Sequence, residues 1–546
     1  MATIRRAGLQ RGDIALWDGL TKTSSRPDAT GATITGLTVG DFVDVLQVFG
    51  SGIYRTSATI AAAVSKIGTN RVPLVFATGT WAIDSSVTIP ANFSCHIPAG
   101  CLFSVESGVT LTINGALVAD QSQIFTGAGT VRIKGRTIPQ WWGAAGDGVT
   151  NDSAALQSAA DSAQAGGMLY LPCGSYLQGS RLTIADGNPI TISGDGPKSI
   201  FKKGFNGDMI SLGLKSELTG LYLDGNGANF TGRGVIIETG SGGDGYQNIH
   251  DMTIFDTASH CIEYTTLGAG FASRIVNCRL GVYNRPAIYA VKYPTGPGSD
   301  NGPRILALCQ TLGPLCDIGG SAELHITGNI GGGDVGDTVA SIAMNSNSLY
   351  AVVAGNSFVA NTPIAVTGDR HTFGVNMTRA GYTLEAGATN CVMGASQSTT
   401  ADTDLDNSGS ITNSIMSFAH TYTPVITAGG SAFSAGNATI TGRWQRFGRT
   451  VHLQIDVLFG STTTFGTGVY TFSLPSGVPT PGGGNSIGTL QVVDASTGIW
   501  NQGIAQLPIN SGVQCVMDGG TTAVGATNPI TFADGDRIRI DITYNL

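Results

Sequence analysis

Acidic side chains that recur at the period of a repeat are the most chemically suggestive feature of this chain. The segment VIIETG at 235–240 lies over CIEYT at 261–265, which sets Ile237 against Ile262 and Glu238 against Glu263 at a spacing of 25. If the isoleucines point inward in a stack of strands, both glutamates point outward on neighbouring coils, with Cβ atoms about 5 Å apart. Two carboxyl groups so placed can divide the work of glycosidic cleavage. One is protonated to help a leaving oxygen, and the other is ionised to attack or to activate water. Tyr289 is next on this ladder and Lys292 follows it, so one face carries two acids, an aromatic and a cation. Asp224 in LYLDGNG and Asp256 in TIFDTAS each end a strand-like run and are the next catalytic candidates. DGNG is equally an ordinary turn, and outward acids on a solenoid are equally a solvated surface. The pattern does not sort Asp300, Asp317, Glu323, Asp334 and Asp337.

Elimination chemistry would use other residues: His250, His260, Tyr264, Arg274, Arg279 and Arg285 supply types suited to a base and to a neutraliser of a uronate carboxylate. They form no diagnostic motif, and a histidine at a strand end is commonly a hydrogen-bonded structural residue. His260, Tyr264 and Arg279 also suit substrate binding. Zinc spacing, a phosphate loop and a GxSxG elbow are all missing from the sequence, so the expectation is an enzyme with no metal and no cofactor.

The elements that position these residues are short strands in a repeat. MTIFDTASHCIEY at 252–264 lies over CRLGVYNRPAIYA at 278–290 with an offset of 26, pairing Met252 with Cys278, Ile254 with Leu280 and Ile262 with Ile288. Phe358 in NSFVANTPIAV stands 78 residues, three such steps, beyond Leu280. Stacked coils about 4.8 Å apart with alternate side chains inward are the structure this predicts. Upstream, QWWGAAGDGVTNDSAALQSAADSAQAGGMLYLPCGSY at 140–176 joins a Gly/Asp turn, a helix and a strand. Thr150 or Asn151 caps the helix, Ala155, Leu156, Ala159, Ala160 and Ala163 share one face, and Gly166 and Gly167 end it. A second helix is expected over Thr59 to Ile67, followed by strands Thr80 to Ile83, Cys101 to Val105, Val109 to Ile113 and Thr130 to Ile133.

Composition favours a strand-rich solenoid: Gly is 79 of 546 residues and only 12% are charged, against about 25% in an average domain. The nine cysteines lack paired spacing and read as small buried apolar residues. The first twenty residues carry no apolar signal core, and no run is long enough to span a membrane, so no membrane insertion is expected. A net charge of −8 argues against nucleic acid as a partner. After Ser408 the character changes. Val451, Leu453, Ile455 and Val457 alternate with His452, Gln454, Asp456 and Leu458, the pattern of an antiparallel sandwich. Trp444 and Trp500 there suit either sugar stacking or burial at a subunit interface. The chain divides into an arm (1–30), an entry module (31–138) that either docks elsewhere or simply begins the solenoid, a central solenoid (139–408) and a carboxyl-terminal sandwich (409–546).

The 140–176 segment resembles the opening of the pectate-lyase-like right-handed parallel β-helix family, with Asn151 and Ser153 where that family usually has Asp and often has Thr. PANFSCHIPAGCLFSVESGVTLTINGALVADQSQIF at 90–125, followed by IPQWWGA, resembles the opening of bacteriophage tailspikes, and the likeness runs from about Ile83 to Gly394. It implies an all-β fold: a right-handed parallel β-helix with a short N-terminal cap helix and a C-terminal antiparallel β-sandwich, which resembles the jelly-roll or carbohydrate-binding-like modules of phage tail proteins and would serve either carbohydrate binding or trimerisation. The resemblance further implies a homotrimeric polysaccharide depolymerase, joined to the phage tail or baseplate through its N-terminal region. It would be made in the host cytoplasm and act in the virion at the bacterial surface, on capsule, exopolysaccharide or O-antigen. Glycoside hydrolysis is the first expectation. A lyase and a non-catalytic receptor-binding fibre are the alternatives.

Overall fold

The computed structural model of the chain describes residues 54–238, 245–265, 272–282, 288–294, 304–319, 323–332, 339–358, 364–378, short stretches of 382–398 and most of 415–545, with short strands at 14–17, 22–25 and 43–44. It divides into two compact units, Met1–Arg285 and Pro286–Leu546.

In the first unit, parallel strands stack into three sheets that share one core. The entry module is already built this way. Val72–Val75, Phe93–Ile97 and Ala116–Ala119 form one face, Gly79–Ile83, Cys101–Val105 and Phe125–Gly127 a second, and Val87–Ile89, Thr110–Ile113 and Thr130–Ile133 a third. The module therefore has the architecture of the solenoid itself. Of the polar arm, the described part is an antiparallel pair, Ile14–Trp17 with Lys22–Ser25.

Helix α1 (Ser57–Ile67) buries Ser57, Ile60, Ala63 and Ile67, the three-and-four spacing of one helical face, and Gly68 at φ 65° ends it. Helix α2 (Ser153–Ser162) buries Ala155, Leu156, Ala159 and Ala160 as the sequence indicates, and coils lie on both sides of it. Its start matches expectation in part. Thr150 belongs to the strand Asp147–Asn151 and the residue before the helix is Asp152, but Asn151 Oδ1 accepts from the first helical amide, that of Ser153 (3.1 Å). The Asp152 carboxylate turns back to accept from the amides of Ala145 (2.7 Å) and Gly146 (3.1 Å), which ties down the Gly/Asp turn instead of capping the helix.

From Arg136 onward three new sheets form longer stacks. The first sheet aligns Leu169, Ile192, Leu218, Ile249 and Ile275 in register. The second aligns Tyr176, Phe201, Leu223, Ile254 and Leu280, which includes the Ile254–Leu280 pairing read from the repeat. The third aligns Leu182, Ile210, Val235 and Ile262. All of these side chains are buried, so each ladder is a column of the hydrophobic core, and the residues between them form outward columns.

The second unit repeats the three-sheet pattern, for example over Leu324–Thr327, Val352–Ala354 and Thr372–Phe373 on its first face. Inside its coils runs a stack of asparagines. Asn329 Nδ2 donates to Asn356 Oδ1 (2.9 Å), and Asn356 Nδ2 donates to Asn376 Oδ1 (2.9 Å). The remaining amide hydrogens bond to the carbonyls of Leu306, Ile326 and Val353. Each of these buried polar groups is therefore satisfied by the coil next to it. A ten-stranded antiparallel sheet follows, in which Val451, Leu453, Ile455 and Val457 point inward as predicted. Its core includes the packed rings of Phe459, Phe465, Tyr470 and Phe532. Trp444 is buried (9% exposed), whereas Trp500 is 61% exposed. Eight of the nine cysteines are buried, and Cys173 is exposed.

Candidate functional site

The glutamates that the repeat brings together stand in a different register in the structure. On the third sheet Val235 pairs with Ile262, Ile236 with Glu263 and Ile237 with Tyr264, a spacing of 27 where the sequence alignment used 25. The slip of two residues keeps both acids outward but separates them. The neighbour of Glu263 on the previous coil is Ile236, and the amide of Thr265 donates to the Ile237 carbonyl beside Glu238 (3.0 Å). Each glutamate is instead held by an arginine. Glu238 meets Arg181 at 3.2 Å, and Glu263 meets Arg233 at 3.0 Å. Arg233 also binds Asp208 through two nitrogens at 2.8 Å. Burial alone would raise the Asp208 carboxyl, but the Arg233 contacts outweigh it and hold it below its ordinary value. Tyr264 is 1% exposed and points inward with Ile262, so it cannot meet a substrate, contrary to expectation. His260 lies half-buried at the corner before this sheet, where its carbonyl accepts from Gly234.

The aspartates of LYLDGNG and TIFDTAS come together on the second sheet. Asp224 ends the strand Tyr222–Asp224 and pairs in register with Lys202 on one side and Phe255 on the other. Asp256 follows Phe255 at a bulge: Ile254 pairs with Leu280, but the next pair is Thr257 with Val282, so one residue is extra. Asp256 takes up that surplus with φ 59°, a left-handed conformation uncommon for any residue but glycine. Gly225, next to Asp224, makes room for it. A Cβ there would lie 2.6 Å from both the Asp256 carbonyl oxygen and the Thr257 Cα. The amide of Gly225 donates to the Phe255 carbonyl (2.9 Å), and that of Gly227 donates to the Asp256 carbonyl (2.7 Å).

The electrostatics mark these two acids as neighbours. Partial burial and then the negative charge of Asp224 push the Asp256 carboxyl above the usual range, opposed only by the Gly227 amide. Burial, and after it Asp224 and Asp256, likewise raise the Tyr222 phenol. Outward columns on this sheet run Ile200, Tyr222, Thr253, Arg279 and Lys202, Asp224, Phe255. The Arg279 guanidinium sits 5.9 Å from the Phe255 ring centre, and Lys202 Nζ donates to the Gly148 carbonyl (3.3 Å). The face thus holds a carboxyl pair, two aromatic rings and two cations. Lys202, Tyr222 and Phe255 went unnoticed in the sequence. Their signal is the alternation of FKK, YLD and IFD once the coils are aligned at the observed spacing.

On the first sheet His250 is wedged between two acids, with Nε2 2.8 Å from Glu217 and Nδ1 2.6 Å from Asp251. Partial burial lowers its pKa, but the two carboxylates outweigh this and raise it, so the ring is held toward imidazolium. Arg274 lies on the same sheet, in register with Asn248. Tyr289 and Lys292 belong to the second unit. There Lys292 pairs in register with Asp317, and burial, then Asp317, raises the half-buried Tyr289 phenol. Glu323 is exposed, and Arg285, Asp300, Asp334 and Asp337 lie outside the described residues.

Residues 140–266, which include both aspartates, match the model of the family described as rhamnogalacturonase A/epimerase, pectate lyase-like. No curated protein matches the chain. Among solved structures, ORF18 of Geobacillus virus E2 is 14% identical, with a TM-score of 0.43 over 73% of this chain and 79% of its own. The Dettilon tailspike protein is 13% identical, with a TM-score of 0.32 over 75% and 94%. The tailspike of E. coli bacteriophage HK620, in complex with a hexasaccharide, is 10% identical, with a TM-score of 0.33 over 90% and 89%.

Proposed function

We infer that this chain is a phage tailspike whose β-helix binds a bacterial surface polysaccharide and cleaves it by hydrolysis, with Asp256 and Asp224 as the working acids. The observation that carries the reading is the bulge, which sets Asp256 one residue past the strand partner of Asp224, where burial and the like charge raise its pKa. Asp256 then serves as the general acid that protonates the leaving glycosidic oxygen. Asp224 is the partner carboxylate that attacks the anomeric carbon or activates water. Tyr222 and Phe255 offer flat apolar surfaces to sugar rings, while Lys202 and Arg279 reach hydroxyl or carboxylate substituents beside them. Because Glu238 and Glu263 are engaged by Arg181 and Arg233, their role in this reading is to brace the third sheet.

Assembly into a homotrimer and attachment to the tail through the N-terminal region complete the proposal, as the resemblance of the opening segments implies. The test is to incubate the protein with purified capsular, exopolysaccharide and O-antigen preparations and to follow new reducing ends together with ultraviolet absorbance. Hydrolysis gives ends without absorbance. Ends with the absorbance of an unsaturated uronate would mean elimination, and binding without new ends would mean an adhesin.

A further inference from the structure

One face of the carboxyl-terminal sheet, remote in sequence from the aspartates, is lined by polar side chains. Four long strands, Thr439–Phe447, Thr450–Leu458, Arg537–Asn545 and Ser486–Asp494, pair side by side, and Ile499–Leu507 extends the series. Their inward residues fill the core. Their outward residues line a cleft of about 740 Å³, within the range of small-ligand sites. Register places these residues in two rows. Thr441, Asp456, Arg539, Gln491 and Gln502 make one row, and Arg443, Gln454, Asp541 and Thr489 make the other.

The chemistry of the rows selects a ligand. The lining holds Arg443 and Arg539 together with Asp456 and Asp541, so its formal charge sums to zero; Asp456 is also held by Arg537 from the neighbouring row, and an anion would meet two carboxylates. Three carboxamides and two hydroxyls supply both donors and acceptors, which suits a molecule whose own groups do both. Part of the set is already oriented: Gln454 Nε2 donates to Asp541 Oδ2 (2.8 Å), and Arg539 Nη1 donates to Gln491 Oε1 (3.5 Å). Trp500 stands two residues along the strand from Gln502, on the same outward side by alternation, with 61% of its surface exposed. A flat apolar platform in the row beside a polar cleft of no net charge matches a sugar ring, which has an apolar face and a rim of hydroxyls.

We propose that this cleft is a second glycan-binding site, selective for neutral oligosaccharides, with Gln454, Gln491 and Gln502 as the hydrogen-bonding set and Trp500 as the stacking surface. Isothermal titration of the full-length chain with hexaoses of glucose, galactose and mannose, and with an alginate hexamer as the anionic comparison, tests it. At least one neutral hexaose binds, and its Kd rises about tenfold in Gln502→Ala and in Trp500→Ala. The Kd stays within about twofold when salt is raised to about 0.5 M, because no charge is being screened. The proposal is overturned if no neutral hexaose binds, if alginate binds in preference, or if both variants retain the wild-type Kd. Sedimentation of Trp500→Ala supplies a further check: dissociation of an oligomer would make this face a subunit contact and overturn the proposal as well.

Discussion

Asp256 overshoots Asp224 by one residue: the strand partner of Asp224 is Phe255, and the bulged Asp256 follows it in a left-handed conformation. A catalytic pair assembled this way depends on the bulge as much as on the acids. Asp224→Asn and Asp256→Asn should each lower kcat about 10²–10⁴-fold while leaving the melting temperature nearly unchanged, read by reducing-end release and calorimetry on the same samples. Glu263→Gln should behave oppositely, with kcat intact and a small loss of stability from the weakened Arg233 contact. If Glu263→Gln is inactive and the Asp variants are active, the third sheet holds the chemistry instead.

The glycine that admits the bulge offers a separate test. Gly225→Ala puts a methyl group against the Asp256 carbonyl and the Thr257 Cα, and backbone cannot yield as a side-chain tip can. A stability loss of about 1–3 kcal/mol is expected, along with a fall in kcat larger than any change in KM.

The pH profile follows from the direction of the Asp256 shift. Its folded pKa is raised, so the general acid stays protonated to higher pH than an ordinary aspartate, and kcat/KM declines as pH rises through that value. Stability carries the same sign. The protonated form is the one the fold tolerates, so stability is full below the unfolded pKa and is lost as pH rises through the folded one. Asp224→Asn removes the charge that helps raise Asp256, so the basic limb measured on the residual activity should move to lower pH. A limb that does not move would mean that the two carboxyls are not coupled.

Lys203 is fully buried among the inward residues of the second sheet, in register with Gln178, and Nζ has no hydrogen-bond partner among the described residues. Burial lowers its pKa to about 8, against the opposing pull of Asp208. The folded state therefore resists protonation that the unfolded chain accepts, and stability falls as pH drops from the ordinary lysine value toward 8, then stays low. Lys203→Met should stabilise the protein by about 1–3 kcal/mol at neutral pH and by less near pH 10, as urea titrations at the two values would show.

His250 contributes with the opposite pH sense. Its folded pKa is raised, so its stabilising contribution is full below its unfolded value and disappears as pH climbs through the folded one. Burial alone would raise Glu217, but hydrogen bonds led by His250 outweigh it and lower it. Asp251 is lowered by His250 and then Asn277, so both carboxylates lose their contribution as pH falls through their depressed values. The difference in melting temperature between wild type and His250→Gln should accordingly peak in mildly acidic buffer and shrink on either side. A difference that does not vary with pH would contradict the ion-pair reading.

The stacked-coil architecture was legible because strand alternation and a 26-residue offset survive in sequence, as the Ile254–Leu280 pairing shows. Register on the third sheet was not. Coils vary in length, and an isoleucine at 237 looks the same whether it packs over Ile262 or Tyr264, since either choice keeps it inward. The bulge at Asp256 leaves no local signature, because the residue that makes room for it is Gly225, about thirty residues earlier. The start of α2 was legible in part: Asn151 meets the first helical amide, whereas Asp152, the residue before the helix, turns to the Gly/Asp turn, and only the folded chain shows which amides it meets.

The asparagine stack joins positions 27 residues apart and then 20 apart with the same amide contact. The inner frame therefore counts coils and is indifferent to how much chain each coil spends outside. Segments between strands can be lengthened, shortened or exchanged while the frame keeps its pitch. A lineage built on such a frame can alter the surface that meets its target in single steps, each one foldable, without redesigning the interior that holds it.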